Sequence, residues 1–507
     1  MFRLLERNPA RVFALLAVYF ILEIAVRLSL PHALELDESQ QIFLAQWLAV
    51  GYDSQPPFYN WVQYLATDAL GSSLFSLSIV KNSMLFSSYL LLGLAAWQLI
   101  GRKSLAMLVP LGLLTIPQVG FEAQRDLTHT VAVIFASCMF IFTIVRTVER
   151  PSLLAYAMTG LAIGIGMTAK YNFVLLPAAT LLALLADADM RKRLFDWRLL
   201  ITAAVALAVT LPHGLWFLDN LGAATGRTMG KLVSESDTPY LMRVGSGILT
   251  LLVSSVGFSV VTVAVFAVSF GKDWRRALRA SNRWTRFCER MLLVVVLLLL
   301  LVILAGGVDS IRDRYLTPYL LILPLYLCLK LDAAGTDIRG GAQTFVQISV
   351  GIMVIIPAIL ILRIVTAGWS GEYSYLNTPM HAFAEAVRTD AGEPSVVVSH
   401  QLALAGNMRI QFPHTPAVMP SYTDFGPAIQ PSTDRPVVIV WMQWRDSPLA
   451  SFPEGVEAFV QEEYGPLRQA GMRTVALPRN YGRPGEEYEF GYAWYIPAAA
   501  PEGSSTP

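Results

Sequence analysis

A series of apolar runs, each long enough to cross a lipid bilayer, constrains this chain more than any other feature. A hydrocarbon core roughly 30 Å thick takes about 20 apolar residues of helix. Runs of that kind lie near 12–30, 80–100, 104–120, 128–145, 152–169, 172–186, 199–218, 243–270, 291–308, 315–329 and 344–366, which predicts about eleven membrane helices. The runs at 172–186 and 315–329 are short, so the count is open by one or two. Only 15% of the 507 residues are charged and 54% are hydrophobic, which excludes an ordinary soluble enzyme of this length. The first run follows Arg3, Arg7 and Arg11 as a signal peptide would. It is too long for one and lacks a small-residue cleavage site, so it reads as the first membrane helix.

The basic residues sit in short clusters between runs, and the net charge is +1, which argues against a nucleic-acid partner. Their distribution sets orientation instead. With the N-terminus cytoplasmic, the inner connections are 1–11, 101–103, 146–150, 187–198, 272–290 and 330–339, holding about 20 Lys and Arg; the opposite loops hold fewer than half as many. An odd helix number then puts the C-terminus outside. After Thr366 the composition turns polar and rich in Pro and Gly. The expected division is a membrane domain over 1–366, with its first external loop at 31–79, and a small soluble α/β domain over 367–507. In that domain, 378–389 and 453–464 read as helices, and 395–399, 436–441 and 473–477 as strands. Residues 497–507 read as disordered. Cys138, Cys288 and Cys328 lie in or beside apolar runs and read as packing residues, with no disulfide or metal framework.

Chemistry-bearing residues gather in the external loops. The first carries Asp37 and Glu38, then an amphipathic stretch (Ile42, Phe43, Leu44, Trp47, Leu48) suited to the interface plane, then Gly51-Tyr52 and Gln55-Pro56-Pro57-Phe58-Tyr59. A solvated loop with an aromatic belt reads equally well from physics alone. The second loop holds Glu122, Arg125, Asp126 and His129, where Asp126 is a helix cap, a functional acid, or both. The third holds Lys170 and Tyr171; a lone lysine at such a turn is commonly an interfacial anchor. The fourth holds Arg312, Asp313, Arg314 and Tyr315, two arginines that ask for an anionic partner. Together these types suit a reaction with a phosphate leaving group. A carboxylate can deprotonate a hydroxyl, and Lys and Arg stabilise charge building on departing phosphate oxygens.

The order of these elements resembles the type C glycosyltransferases, in the bacterial branch of protein mannosyltransferases and the lipid A aminoarabinose transferase. The matching residues are Leu36-Asp37-Glu38, the run into Gly51-Tyr52 and Gln55-Pro56-Pro57, Asp126 with its Leu-Thr, the stretch 160–176, and Arg314-Tyr315-Leu316. The likeness covers roughly the first 330 residues. It implies a polytopic α-helical fold in the bacterial inner membrane and transfer, with inversion, of a sugar from a polyprenyl-phosphate donor to a glycan, lipid or protein acceptor. It further implies Asp37, Glu38 and Asp126 as catalytic acids. Lys170, Arg312, Arg314 and Arg125 are candidates for donor phosphate, and Tyr52, Gln55, Pro57, Tyr59, His129, Tyr171 and Tyr315 for the substrate pocket. Where the aminoarabinose branch often has an acidic-Lys-Pro element, this chain has Gln55-Pro56-Pro57, a departure from that branch. No cofactor is implied for certain; His32, His129 and His213 leave a divalent metal open but lack ligand spacing. The competing readings are a transporter or flippase of a lipid-linked substrate, whose ionisable groups belong nearer the bilayer midplane, and a non-catalytic scaffold of the same fold.

Overall fold

The computed structural model describes residues 2–222, 224, 226, 239–423, 425–444 and 447–498; the end of the chain, read above as disordered, lies beyond these from residue 499 on. Among the described residues, seven helices are long and apolar enough to cross a membrane: Arg11–Ser29, Leu74–Leu99, Thr128–Glu149, Leu199–Asp219, Tyr240–Arg279, Arg283–Gly306 and Arg339–Val365. Two bent pairs, Lys103–Leu113 with Gln118–Arg125 and Asp313–Leu320 with Leu323–Ala334, bring the number to nine if each pair is one span. Two shorter apolar helices, Leu153–Ala169 and Tyr171–Leu185, occupy the fifth and sixth predicted runs. The protein is thus a polytopic helical membrane protein. Cys138, Cys288 and Cys328 are free and buried.

Helix packing follows from small residues where backbones meet. Lipid tails are as apolar as leucine, so membrane helices associate by close approach and hydrogen bonding rather than by the hydrophobic effect. Gly160 and Gly164 stand four apart on Leu153–Ala169. A Cβ on Gly160 would lie 2.4 Å from the Thr202 carbonyl, and one on Gly164 would lie 2.6 Å from Val209 Cβ. The Thr202 hydroxyl donates to the Tyr156 carbonyl at 2.8 Å and completes the contact.

The chain divides into two compact units. The first is Met1–Glu23, Ala49–Tyr59 and Lys81–Pro357; the second is Ile24–Leu48, Asn60–Val80 and Ala358–Pro507. The second holds a five-stranded mixed sheet of order β2-β1-β3-β5-β4, with β1 Val396–Val398, β2 Ala417–Val418, β3 Val437–Met442, β4 Leu467–Pro478 and β5 Glu487–Pro497. β1 runs parallel to β2 and β3, whereas β5 runs antiparallel to β3 and β4. Central β3 is buried on both faces. Val438 and Val440 face a core with Phe383, Met408 and Phe490, while Val437 and Ile439 face Val456, Val460 and Tyr495. A strand covered on both sides reads as an uninterrupted apolar run, as this one does. The strands expected at 395–399, 436–441 and 473–477 fall on β1, β3 and β4; β2 and β5 were not foreseen.

Gly160→Leu should separate the Leu153–Ala169 and Leu199–Asp219 helices and lower the melting temperature of the detergent-purified protein. Gly214→Leu, on the same second helix but with open space at its Cβ, should leave it unchanged. Equal melting temperatures for the two would show that the close contact carries no stability.

Candidate active site

In the second unit, the two acids of the first loop separate into distinct environments. They open a helix, Leu36–Leu44, where negative charge in the first turn is favoured by the helix dipole. Glu38 is 2% exposed and takes a bidentate ion pair from Arg27, with Nε at 3.1 Å from Oε1 and Nη2 at 2.8 Å from Oε2. It also accepts from the Glu35 backbone N–H at 3.2 Å, the reach-back of a capping box. Arg27, at the end of the first membrane helix, donates further to the carbonyls of Pro31 (3.3 Å) and Ala33 (2.8 Å). Glu35, also buried, pairs at 2.6 Å with Arg363 from the last membrane helix. Burial pushes the Glu35 carboxyl above its ordinary range, against the pull of Arg363. Asp37 is only half-buried, and among the described residues its carboxylate makes no hydrogen bond or ion pair. Physically, Glu38 is committed to holding the loop and Asp37 is available.

The amphipathic stretch that follows does not fit the expectation of a helix lying in the lipid interface. Ile42, Phe43 and Leu44 are at most 1% exposed. Ile42 packs with Leu34, Leu74 and Leu77, and the Phe43 ring meets Tyr422 edge-on at 5.2 Å. Trp47 stacks on Phe425 at 4.6 Å, so of this face only Leu48 stays exposed and the rest is spent on protein.

The first unit brings together residues of the remaining loops. Lys170 donates to the Thr130 hydroxyl at 3.1 Å, and its Nζ lies 5.9 Å from the centre of the Tyr315 ring. The Arg314 guanidinium lies 5.7 Å from the same ring. Asn172 Nδ2 donates to the Tyr315 carbonyl at 2.8 Å, and the Tyr319 hydroxyl returns a bond to the Asn172 carbonyl at 2.6 Å. Gln118 Nε2 donates to Asp313 Oδ2 at 2.6 Å. The second, third and fourth loops therefore form one cluster with Tyr315 at its centre. Arg312 is exposed, and Arg125 is engaged by Glu122 at 2.7 Å.

Leu127, rather than Asp126, stands at the cap position of the following helix, Thr128–Glu149, with no side-chain capping bond. Leu127 sits at φ 69°, in the left-handed region that costs a non-glycine residue about 1 kcal/mol or more. The turn holds half-buried Asp126 on one side of the strained residue and Thr128 and His129, both buried, on the other. Such strain persists where surrounding structure imposes it, and it clusters at functional sites.

The part of the first loop that belongs to this unit is equally tied down. Gly51 admits no side chain, because a Cβ there would lie 2.1 Å from the Trp216 ring. The Tyr52 hydroxyl accepts from the Ala49 N–H at 3.1 Å, Gln55 N–H donates to Asp53 at 3.0 Å, and Pro57 is buried. The fully buried Tyr59 ring lies 6.3 Å from the His129 ring. His213 spends both ring nitrogens, Nδ1 at 2.8 Å from the Val50 carbonyl and Nε2 at 3.2 Å from the Tyr171 hydroxyl. Among the described residues, no three His, Cys, Asp or Glu side chains group to hold a metal.

Sequence reasoning did not single out Lys81. Lys81 is 4% exposed within the helix Leu74–Leu99 and donates to the Gln124 carbonyl at 3.3 Å, two residues before Asp126. Gln124 in turn donates to Asn82 at 3.0 Å. The signal was present, since a lone ionisable residue inside an apolar helix faces protein rather than lipid.

Comparison with known proteins identifies the chemistry. A family model described as dolichyl-phosphate-mannose-protein mannosyltransferase matches residues 54–216, a stretch that includes Asp126 and Lys170. The lipopolysaccharide core galacturonosyltransferase RgtB of Rhizobium johnstonii is 45% identical over 496 residues, covering 96% of this chain and 98% of the relative. The chain is a type C glycosyltransferase. A second relative of this glycosyltransferase, the lipopolysaccharide core galacturonosyltransferase RgtA of the same organism, is 41% identical over 95% of this chain and 97% of its own. Among solved structures, ArnT from Cupriavidus metallidurans bound to undecaprenyl phosphate aligns with a TM-score of 0.60. The alignment covers 95% of this glycosyltransferase and 97% of ArnT at 13% identity, so the two share a fold.

Removing Arg27 should strand a buried carboxylate. Arg27→Ala is expected to cost about 3–5 kcal/mol of stability, and Asp37→Asn no more than about 0.5 kcal/mol, measured by denaturant unfolding in detergent. Equal losses would contradict the division of the acid pair.

Proposed function

We propose that this glycosyltransferase moves galacturonic acid from a polyprenyl-phosphate carrier to the core of lipopolysaccharide, with inversion, on the periplasmic side of the bacterial inner membrane. The observation that carries this reading is 45% identity to a lipopolysaccharide core galacturonosyltransferase over nearly the full length of both chains. The carrier is supported by the shared fold of ArnT, whose structure holds undecaprenyl phosphate. The Lys and Arg bias supports a cytoplasmic N-terminus and a periplasmic sheet-bearing domain.

In this reading Asp37 is the general base. It removes the proton from an acceptor hydroxyl as that oxygen bonds to the anomeric carbon, and the bond from that carbon to the carrier phosphate breaks on the opposite face. The electron pair leaves with polyprenyl phosphate, whose oxygens gain charge as they depart. Lys170 and Arg314, both held at the Tyr315 ring, are the residues to stabilise that charge. A uronic acid adds a carboxylate to the phosphate, so the donor presents two anionic groups. Exposed Arg312, two residues before Arg314, and Arg125 are the further cations suited to them. Asp126, His129, Tyr52, Gln55, Pro57, Tyr59, Tyr171 and Tyr315 shape the pocket, with Asp126 as the second acid. Glu38 supports Asp37 through the loop rather than through the reaction.

Synthetic polyprenyl-phosphate galacturonic acid and isolated lipopolysaccharide core are the substrates for the test. Asp37→Asn should lower transfer by about 10²–10⁴-fold, the range for a general base, with normal amounts of folded protein in the membrane. Retained activity would remove Asp37 from the mechanism. Absence of transfer by the wild-type protein from this donor, with transfer from another polyprenyl-phosphate sugar, would reassign the sugar. Lys170→Gln and Arg314→Gln should each raise the donor KM or lower kcat without changing the acceptor KM; an altered acceptor KM alone would move these residues to the acceptor side.

A further inference from the structure

The helix that carries Asp37 is nine residues long. Isolated helices that short are marginal in water, so its position must come from what it packs against. Within the second unit, that partner is the helix Leu402–Gln411 of the C-terminal α/β region. Asn407, fully buried, reaches both sides of Asp37: its Oδ1 accepts from the Leu34 N–H at 2.9 Å, and its Nδ2 donates to the Ser39 hydroxyl at 3.1 Å. The same Nδ2 donates to the Ala403 carbonyl at 2.7 Å, which locks the amide to its own helix. The Ser39 hydroxyl passes the contact on to the Glu35 carbonyl at 2.9 Å.

The neighbouring residue explains how the two helices come so close. A Cβ on Gly406 would lie 2.1 Å from the Ser39 carbonyl oxygen and 2.6 Å from Ser39 Cα. Only glycine permits this backbone contact. Farther along the segment, the Gln46 side-chain amide pairs with the backbone of Ala417 in edge strand β2. Its Nε2 donates to the Ala417 carbonyl and its Oε1 accepts from the Ala417 N–H, each at 2.9 Å. Gln46 thus occupies the place of one residue in a neighbouring strand. The segment 34–46 is gripped at both ends by the C-terminal region.

We infer that the helix Leu402–Gln411 serves the catalytic apparatus, with Asn407 and Gly406 as positioning residues that set the Asp37 helix. This rests on the assignment of Asp37 as the base. Neither residue need touch substrate. Their effect is to fix the carboxylate of Asp37 within the tolerance that reaction requires, where a misplacement of about 1 Å costs about 10²-fold in rate.

The test uses the full chain, reconstituted, with synthetic polyprenyl-phosphate galacturonic acid and lipopolysaccharide core. Asn407→Ala and Gly406→Ala should lower kcat by about 10–100-fold and leave the donor KM within about threefold, as expected when a group acts on the transition state alone. Ser39→Ala should give a smaller loss that does not add to that of Asn407→Ala. Val460→Ala, in the core on the other face of the sheet, serves as the control: it should lower the melting temperature but keep kcat. If Asn407→Ala fails to fold, Gly406→Ala and Ser39→Ala decide the matter. Wild-type kcat in the folded variants, or an equal kcat loss in Val460→Ala, overturns the positioning role. An active Asp37→Asn protein would instead overturn the assignment of the base.

Discussion

The buried ion pair between Arg27 and Glu38 is the constraint on which the first loop depends. An arginine at the end of a membrane helix normally extends its head to water. Here it turns back onto the chain and binds both oxygens of one carboxylate and two backbone carbonyls. The cost of burying both charges is large and is recovered only because the geometry is bidentate and the remaining donors are satisfied. What it secures is direction. The chain leaving the membrane is folded into a helix that starts at a fixed point, and that point places Asp37 in the first turn.

The first unit solves a related problem with aromatic rings and amides rather than buried charge. Tyr315 is the common reference for Lys170, Arg314 and Asn172. A ring fixed at its backbone by Asn172 can hold two like charges on cation–π contacts, and each contact is worth about 0.5–2 kcal/mol. Two cations brought near one ring repel each other, and an anion between them relieves that repulsion. The same economy appears at His213, whose nitrogens tie the first loop to the third through Val50 and Tyr171.

The membrane architecture was legible in the sequence because length and apolarity decide it without reference to partners. Each apolar run is helical, those at 104–120 and 315–329 as bent pairs, and the runs at 152–169 and 172–186 meet at Lys170 as two short helices. The pairings were not legible. Arg27 lay inside the first apolar run and was counted as part of a span. Ile42, Phe43 and Leu44 showed the pattern of an interfacial helix, and amphipathicity alone does not distinguish lipid from a protein core. Asp126 had the composition of a cap, but the backbone reaches the left-handed region one residue later and moves the cap to Leu127. Asn407 and Gln46 looked like ordinary polar residues because their partners lie about 370 positions away in the chain. Candidate residues could be nominated from the loops, whereas only the fold shows which of them, such as Glu38, are committed to structural ion pairs.

The second unit is assembled from the first loops of the chain and from its last 150 residues. Leu34 and Asn407 are 373 residues apart. At a synthesis rate of about 5–20 residues per second, the first loop is made about 20–75 seconds before the surface that orders it. During that interval its nine-residue helix has its contacts to Arg27, Leu74 and Leu77 available but lacks Asn407, Gly406 and the Tyr422 ring that meets Phe43. With Asp37 as the proposed base, the order of biogenesis sets its position only once the helix Leu402–Gln411 has been made and folded. On that proposal, chains that stop short of this helix would accumulate in the membrane as bundles without a positioned base.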